Sequence, residues 1–541
     1  MALIDNFPRS AHAIANTDIE ILAIDKVDLD KILFMDRDMG YKLLWSFTMT
    51  LSKRLRETNE KNGKLPGHVR RILTDPLLPA VAPSGIVILP PSSVLEKKPV
   101  AQKSYKIGIV SLGCPKNQVD AEQMLGVLAS SGFEITSEQQ DADVIVVNTC
   151  GFIEPAKVES IEAILDAAKM KQTGRCAKVI ITGCLAQRYK EELLKELPEA
   201  DAVVGTAEIG RIGEICKEAL GGKEHLLQVA APTMVYGLPR LSTTPRHYRY
   251  LKIAEGCSNR CSYCAIPIIR GNFRSRPFES ILDEARSLAD EGAKELILLA
   301  QDSTAYHDGE ADLPMLLKAL AQVAGVEWVR LMYAYPGRIS DALMEVMAEE
   351  KKICKYLDIP IQHFDDKVLK AMNRRGDSRD IRMTIEQLRK NIPGIALRTS
   401  LIVGFPGETG VAFKRLLSFV KETEFEHLGV FTYSPEEGTA AYDLKTQVPE
   451  EIATERLQAI MQTQAKISFR KNQALIGSHQ RVLIDGMEDM ALIGRLSTQA
   501  PEIDGMVYLS ETEAEPGDFV DITIKDAAQY DLVGSGQASG Q

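Results

Sequence analysis

Long apolar runs are missing from this chain of 541 residues. No stretch approaches the roughly twenty apolar residues that a membrane-crossing helix requires, which excludes a helical membrane protein. The opening "MALIDNFPRS" carries Asp5 and no basic cluster ahead of an apolar core, so a secretory leader is not expected there. Positive charge is also short: 64 Lys and Arg stand against 75 Asp and Glu, a net charge of −11. That excludes a general electrostatic hold on nucleic acid or anionic lipid, though not a local basic patch. No segment recurs at a fixed period, so a repeat architecture is not expected. The expected compartment is cytoplasmic and reducing. There, spaced cysteines act as metal ligands or catalytic groups rather than as disulfides.

What is present divides by composition into four regions and a linker. Residues 1–60 end in a helical pattern, with Leu44, Phe47, Leu51 and Leu55 on one face. Residues 61–103 hold seven prolines, which block long helices and central strands, and read as a linker or extended arm. Residues 104–220 alternate strand-like and helix-like runs: "YKIGIVSLG", "DAEQMLGVLASSG", "ADVIVVNTCG", "ESIEAILDAAKM", "AKVIITGCLA". Such alternation predicts a parallel sheet with crossover helices. Residues 243–473 repeat the alternation with six strand-like runs, from "YLKIAEG" to "HLGVFTYSP", and predict a full or partial β/α barrel with its site at the strands' C-terminal ends. Residues 474–541 are short strands between Gly, Pro and Asp turns, a pattern of small β-barrels. The fold class is therefore α/β with an all-β C-terminal domain.

Three of the nine cysteines fall in "EGCSNRCSYCAIPIIRG" as Cys257, Cys261 and Cys264, a CxxxCxxC spacing. Three thiolates on one loop can bind three irons of a [4Fe–4S] cube, and no fourth cysteine follows, which leaves one iron open. A zinc site is the alternative, but structural zinc takes four protein ligands. Three further cysteines, Cys114 in "SLGCPKN", Cys150 in "VNTCGF" and Cys184 in "TGCLAQR", each follow a predicted strand of one parallel sheet. Strand ends in such a sheet share an edge, so these thiols are expected to meet, with Gly113, Gly151 and Gly183 giving room. Cys176, Cys216 and Cys354 lack such context and read as structural.

The spacing of Cys257, Cys261 and Cys264, with Tyr263 at the aromatic position, resembles the radical S-adenosylmethionine enzymes. In that superfamily the open iron binds S-adenosylmethionine, so these residues and Tyr263 are the implied cofactor-binding set. Two three-cysteine sites in successive domains resemble the methylthiotransferases, over roughly Lys106 to the C-terminus. The resemblance implies a second, auxiliary [4Fe–4S] cluster on Cys114, Cys150 and Cys184, a C-terminal TRAM domain, and two S-adenosylmethionine molecules per turnover. "SLGCPKNQVDAE", "LLAQDSTAY", "LDIPIQH", "MNRRG" and "GVFTYSPEEGTAAY" are similar to the RimO type. Those enzymes modify the β-carbon of an aspartate in small-subunit ribosomal protein number twelve, giving 3-methylthioaspartate. The tRNA-directed branch differs at "GCPKN" and "AQDS". An electron donor and a sulfur donor are implied without being identified.

Charge bears on the same choice. From Leu475 onward there are twelve acidic residues and three basic ones, Arg481, Arg495 and Lys525. A domain that grips RNA needs the reverse, so nucleic acid is not the expected substrate, whereas a basic ribosomal protein would complement this tail. "LIVGFPGET" is either a cofactor-proximal loop or a strand with a tight turn. Arg270, Arg274 and Arg276 could meet the cofactor, the substrate or acidic neighbours, and His363 could be a core histidine or a substrate contact. No catalytic acid or base is assigned. Residues 1–60 resemble a truncated cyclic-nucleotide-binding domain, with Arg9 and Ser10 at the phosphate-contacting pair. The Gly-Glu that precedes that pair and the earlier strands are missing, so no competent nucleotide pocket is expected.

Overall fold

A computed structural model describes residues 104–488, 491–510 and 512–536. The readings of residues 1–60 and 61–103 lie outside the described residues. No helix among the described residues is long and apolar enough to cross a membrane.

The first domain is a six-stranded sheet. Its strands are β1 (Lys106–Ser111), β2 (Glu134–Ile135), β3 (Val144–Thr149), β4 (Lys178–Gly183), β5 (Ala202–Val204) and β6 (Leu226–Gln228), in the order β2-β1-β3-β4-β5-β6. All pairs are parallel. Every residue of β3 is buried, as expected for a strand covered on both faces. Ile164 and Ala167 of helix Glu154–Thr173 pack on one face. Met124, Val127 and Leu128 of helix Pro115–Ser130 pack on the other. The sheet runs past residue 220 to include β6, because a three-residue strand carries no periodicity to be read.

The second domain begins with β7 (Tyr248–Lys252). A hairpin of β8 (Ala254–Glu255) and β9 (Arg274–Ser275) follows and holds the cysteine-bearing loop between its arms. The remaining strands of the large sheet are β10 (Glu295–Leu299), β13 (Trp328–Leu331), β14 (Ile353–Asp358), β15 (Ala396–Val403) and β16 (His427–Thr432). A small hairpin of β11 (His307–Asp308) and β12 (Ala311–Asp312) interrupts them. The six long strands, β16-β15-β14-β13-β10-β7, are all parallel and do not close, so this is a partial barrel. Leu296, Leu298, Val329 and Leu331 face the outer helices. Ile297, Leu299, Trp328 and Tyr356 belong to a second cluster with Leu483, Ala500 and Phe519 of the C-terminal domain.

That C-terminal domain is a closed five-stranded barrel: β17 (His479–Glu488), β18 (Ala491–Leu496), β19 (Val507–Ser510), β20 (Phe519–Ala527) and β21 (Leu532–Gly536), joined as β17-β18-β19-β21-β20. The fifth strand, "LVGSG", was not apparent in the sequence because its glycines look like a turn. They are there for space: a Cβ on Gly534 would stand 2.3 Å from Ile522 Cδ1.

The small barrel seals the N-terminal end of the large one through buried charge. Glu295, at the start of β10, is held by Arg330 at 2.7 Å and by Arg495 of β18 at 2.9 Å. Arg495 also meets Asp485 at 2.6 Å, and Asp485 meets His247 at 2.8 Å. Tyr356 donates to Asp504 at 2.8 Å. Glu295 and Arg330 are fully buried. Removing one partner of such a pair strands the other charge, at about 3–5 kcal/mol. Glu295→Gln should therefore lower the thermal-unfolding midpoint and expose the junction near Leu475 to protease. A double replacement of Glu295 and Arg330 by Met should be milder. Burial would raise the Asp485 carboxyl, but His247 and Arg495 outweigh it and hold it below 3.8. A carboxyl lowered in the folded state contributes fully above its unfolded pKa and fades as pH falls through the folded one. The seal should thus survive pH 5 (about one unit above the free carboxyl), as judged by resistance to protease at that pH.

Candidate functional site

β1, β3 and β4 are neighbours in register, with Ser111 beside Asn148 and Thr149 beside Gly183. Their C-terminal ends carry the three lone cysteines. Cys114 caps helix Pro115–Ser130, Cys150 directly follows β3, and Cys184 opens helix Cys184–Tyr189. The loops between them are pinned. Asn117 Nδ2 donates to the carbonyls of Leu112 and Thr149, both at 2.9 Å, and Asn148 Nδ2 donates to the Asn117 carbonyl at 2.8 Å. Cys150 N donates to Ser160 Oγ at 3.0 Å, while Ser160 Oγ donates to the Cys150 carbonyl at 2.9 Å. Gly183 has φ +92, and a Cβ there would stand 2.5 Å from the Thr149 carbonyl oxygen. A Cβ on Gly113 would stand 2.8 Å from Cys150 Cβ. Both glycines are required for the three strand ends to approach.

Burial, and then the neighbouring Cys184 and Cys114, push the Cys150 thiol up to about 12. Burial likewise raises Cys184, although Arg270 opposes it. Buried thiols such as Cys150 and Cys184 need a cationic centre to hold them as thiolates. Among the described residues no group of Cys, His, Asp or Glu closes on one point as ligands of a single ion do. An iron–sulfur cube gives each thiolate its own iron and so suits more widely placed sulfurs.

Cys257, Cys261 and Cys264 lie on the loop between β8 and β9. Cys257 N donates to the Gly271 carbonyl at 3.0 Å, and Ser262 anchors the loop to Ala371 and Met372. Burial, Cys261 and Cys257 push Cys264 to about 12, and burial raises Cys257. The Arg374 guanidinium is 3.9 Å from Cys261 Sγ and stacks 4.4 Å from the Tyr335 ring centroid. Tyr263 is packed against Val368, Met372, Phe405, Ala412 and Ala441. Cys176, Cys216 and Cys354 are buried in the cores.

The two cysteine sets face each other across the domain boundary. Cys184 packs on Ala265 and Ile269, just beyond Cys264. Between the sets lies a buried polar seam. Lys252 contacts Asp120 at 2.5 Å and Glu255 at 3.1 Å, and Arg270 contacts Asp120 at 2.7 Å and Glu255 at 3.4 Å. Arg270 also donates to Asn117 Oδ1 at 2.6 Å and to Cys184 Sγ at 3.2 Å. Gln301 Nε2 donates to Glu255 at 2.9 Å. Burial would raise the Glu255 carboxyl, yet Arg270 and Lys252 bring it down to about 2.

Arg270 thus meets acidic neighbours and a cysteine at once. Arg276 pairs with Glu284, and Arg274 holds the carbonyls of Arg270 and Asn272. His363 is a satisfied core histidine: Glu408 lies 3.2 Å from its Nε2, and Asp365 N donates to its Nδ1 at 2.9 Å. Glu408, bound also by Arg456 at 2.9 Å, fixes the "GFPGE" turn. Sequence reasoning missed Lys116, Asn117, Asp120, Lys252 and Glu255. The available signal was "PKNQVDAEQ", a helix start with polar residues on every side, of which Lys116, Asn117, Asp120, Glu122 and Gln123 are all buried.

Arg270→Ala leaves Asp120 and Glu255 short of one cation in a dry seam, with an expected loss of about 3–5 kcal/mol. Urea unfolding followed by fluorescence should show it, with the boundary between the two sheets becoming protease-sensitive first. Arg270→Lys keeps the charge without the fork that reaches Asn117 and Cys184, so it should fall between the two.

Three family models match the chain: an uncharacterized family, UPF0004, over residues 106–205, the radical SAM superfamily over residues 251–420, and a TRAM domain over residues 476–536. A protein named ribosomal protein uS12 methylthiotransferase RimO from Geotalea uraniireducens (strain Rf4) is 53% identical over 437 residues, which cover 79% of this chain and 98% of that protein. The protein of the same name from Geobacter sulfurreducens is 52% identical, with the same coverage. Among solved structures, the radical S-adenosylmethionine methyltransferase TsrM from Kitasatospora setae, with cobalamin and a [4Fe–4S] cluster bound, aligns with a TM-score of 0.49 at 14% identity, covering 63% of this chain and 77% of that one. With its sheet domain, partial barrel and closed C-terminal barrel in that order, the chain belongs to the RimO family of radical SAM methylthiotransferases.

Proposed function

We propose that this protein methylthiolates ribosomal protein uS12 at the β-carbon of an aspartate, giving 3-methylthioaspartate and using two S-adenosylmethionine molecules per turnover. The observation that carries this reading is the pairing of two three-cysteine edges across one buried seam. Cys257, Cys261 and Cys264 would hold one [4Fe–4S] cluster with an iron left for S-adenosylmethionine, and Cys114, Cys150 and Cys184 would hold the other. Bound there, these groups would supply a carbon radical able to take hydrogen from an unactivated C–H bond, together with the sulfur and methyl to be installed.

The chain's own contribution is placement. Strand ends carry the Cys114, Cys150 and Cys184 set, a hairpin loop anchored through Ser262 carries the other, and the Asp120–Lys252–Glu255–Arg270 seam fixes their separation. Tyr263, packed beneath the "GFPGE" turn, shapes the wall beside the first set. The C-terminal barrel supports a protein substrate over RNA. Arg495 is buried against Asp485 and Glu295, and Arg481 is paired with Glu327, while Glu502, Glu513, Glu515, Asp518, Asp521 and Asp526 are exposed. Few cations are free there to neutralise phosphates. The cytoplasm is the compartment where ribosomal proteins would be met.

Anaerobic reconstitution should give about eight irons and eight sulfides per chain, and Cys114→Ala about half of each. In that variant, reductive cleavage of S-adenosylmethionine should persist without methylthio transfer. Full iron in the variant would remove Cys114 from the ligand set. Mass spectrometry of uS12 and of bulk tRNA from a strain lacking the gene tests the substrate. Loss of the methylthio mass from uS12 alone is expected, and loss from tRNA alone would overturn the assignment.

A further inference from the structure

Lys116 is a buried cation at the boundary that has no carboxylate at ion-pair distance among the described residues. Its cationic neighbours do: Lys252 and Arg270 have Asp120 and Glu255, Arg240 has Glu122 and Glu284, and Arg398 has Asp358 at 3.2 Å. Lys116 is 7% exposed. Its Nζ lies 3.4 Å from the Ala300 carbonyl oxygen and 3.6 Å from the Tyr333 ring centroid. Among the described residues no carboxylate comes within ion-pair distance of it, and Glu255 is already shared by Lys252 and Arg270. One long hydrogen bond and one aromatic face do not replace the hydration of a buried ammonium. A buried charge of this kind is stable when an anion joins it.

The position says where that anion comes from. Lys116 belongs to the first domain, two residues beyond Cys114, whose side chain is exposed. Its Nζ reaches over the second domain, above Ala300 at the end of β10 and Tyr333 beyond the end of β13. The ammonium therefore stands at the barrel mouth, where one cysteine edge meets the strand ends that carry the other domain's site. Tyr333 itself is held in the left-handed region at φ +60, with its N donating to Asp358 Oδ2 at 3.3 Å. Strain of this kind persists where the surroundings over-determine it, and here it keeps the ring under the ammonium.

We propose that Lys116 binds the carboxylate of the substrate aspartate, and so selects an acidic side chain and fixes its β-carbon one bond away. The inference rests on the uS12 reading given above. It also gives a physical role to the "PKN" segment: the residue two positions beyond the cysteine carries the charge that an acidic substrate lacks.

The test compares two synthetic peptides copying the uS12 loop around the modified residue, one with Asp and one with Asn, on the cluster-loaded full chain. Binding is read by fluorescence anisotropy, and methylthio transfer by mass spectrometry. A charge-assisted hydrogen bond to the carboxylate predicts about a ten- to hundredfold preference for the Asp peptide in the natural protein. Lys116→Gln should abolish that preference, mainly through KM, and Lys116→Arg should retain most of it. A Lys116→Gln protein that still prefers Asp by the same factor overturns the assignment. So does a natural protein with no preference, a comparison that needs no variant to fold. If the natural protein transfers nothing to uS12 but modifies tRNA, the substrate reading itself fails. If it modifies uS12 and Lys116→Gln does so with unchanged KM, only the role of Lys116 fails.

Discussion

The placement of both cysteine sets depends on four buried charges. Asp120 comes from the first sheet's helix, and Lys252, Glu255 and Arg270 come from the barrel. Two acids and two bases cancel, so the seam is neutral as a unit. Each ion alone would carry a desolvation penalty of several kcal/mol. Sliding the first sheet along β7 would separate Asp120 from both of its partners and leave it and one barrel cation unmatched. An apolar interface would tolerate such a slip, because hydrophobic contact is non-directional. The seam therefore fixes register more than it adds stability. Arg270 extends that register to Asn117 and Cys184, and so to the edge that carries three thiols.

The opposite end of the barrel follows the same logic. Glu295, Arg330 and Arg495 fill the space between the strand starts and the C-terminal domain, with Trp328 and Phe519 packed edge to face at 4.9 Å. The six-stranded parallel barrel does not close on itself. Its N-terminal end is sealed by the small barrel, and its mouth is partly roofed by the first domain. Cys114 is exposed at the boundary between the first two domains. Packing three domains around the strand ends suits chemistry that must exclude water from a reactive carbon centre.

The strands and the order of the domains were legible in the sequence because each signal is local. "VIVVNTCG" shows a buried parallel strand, its end and its thiol within eight residues. The seam was not legible. Asp120 is far from Lys252 and Arg270 in the chain, and nothing in "PKNQVDAEQ" says which polar residue is paired and which is solvated. A helix buried against both a sheet and a second domain loses the one-sided apolar stripe on which periodicity depends. Arg270 was noticed with several possible contacts, and only the fold shows that it meets acids and Cys184 together. His363 resolved the other way, into a core histidine that supports Glu408. β21 was hidden by glycines that serve close packing rather than a turn.

Electrostatics is arranged oppositely outside and inside. The C-terminal barrel presents acids, which attract a basic protein at long range but provide no chemistry. At the mouth, the Asp120, Lys252, Glu255 and Arg270 charges pair off, and the Lys116 ammonium stands near an exposed thiol with no carboxylate at ion-pair distance among the described residues. Long-range attraction selects by the sum of a partner's charge, whereas a buried cation selects by one side chain. A basic protein carrying an acidic residue on an exposed loop satisfies both conditions.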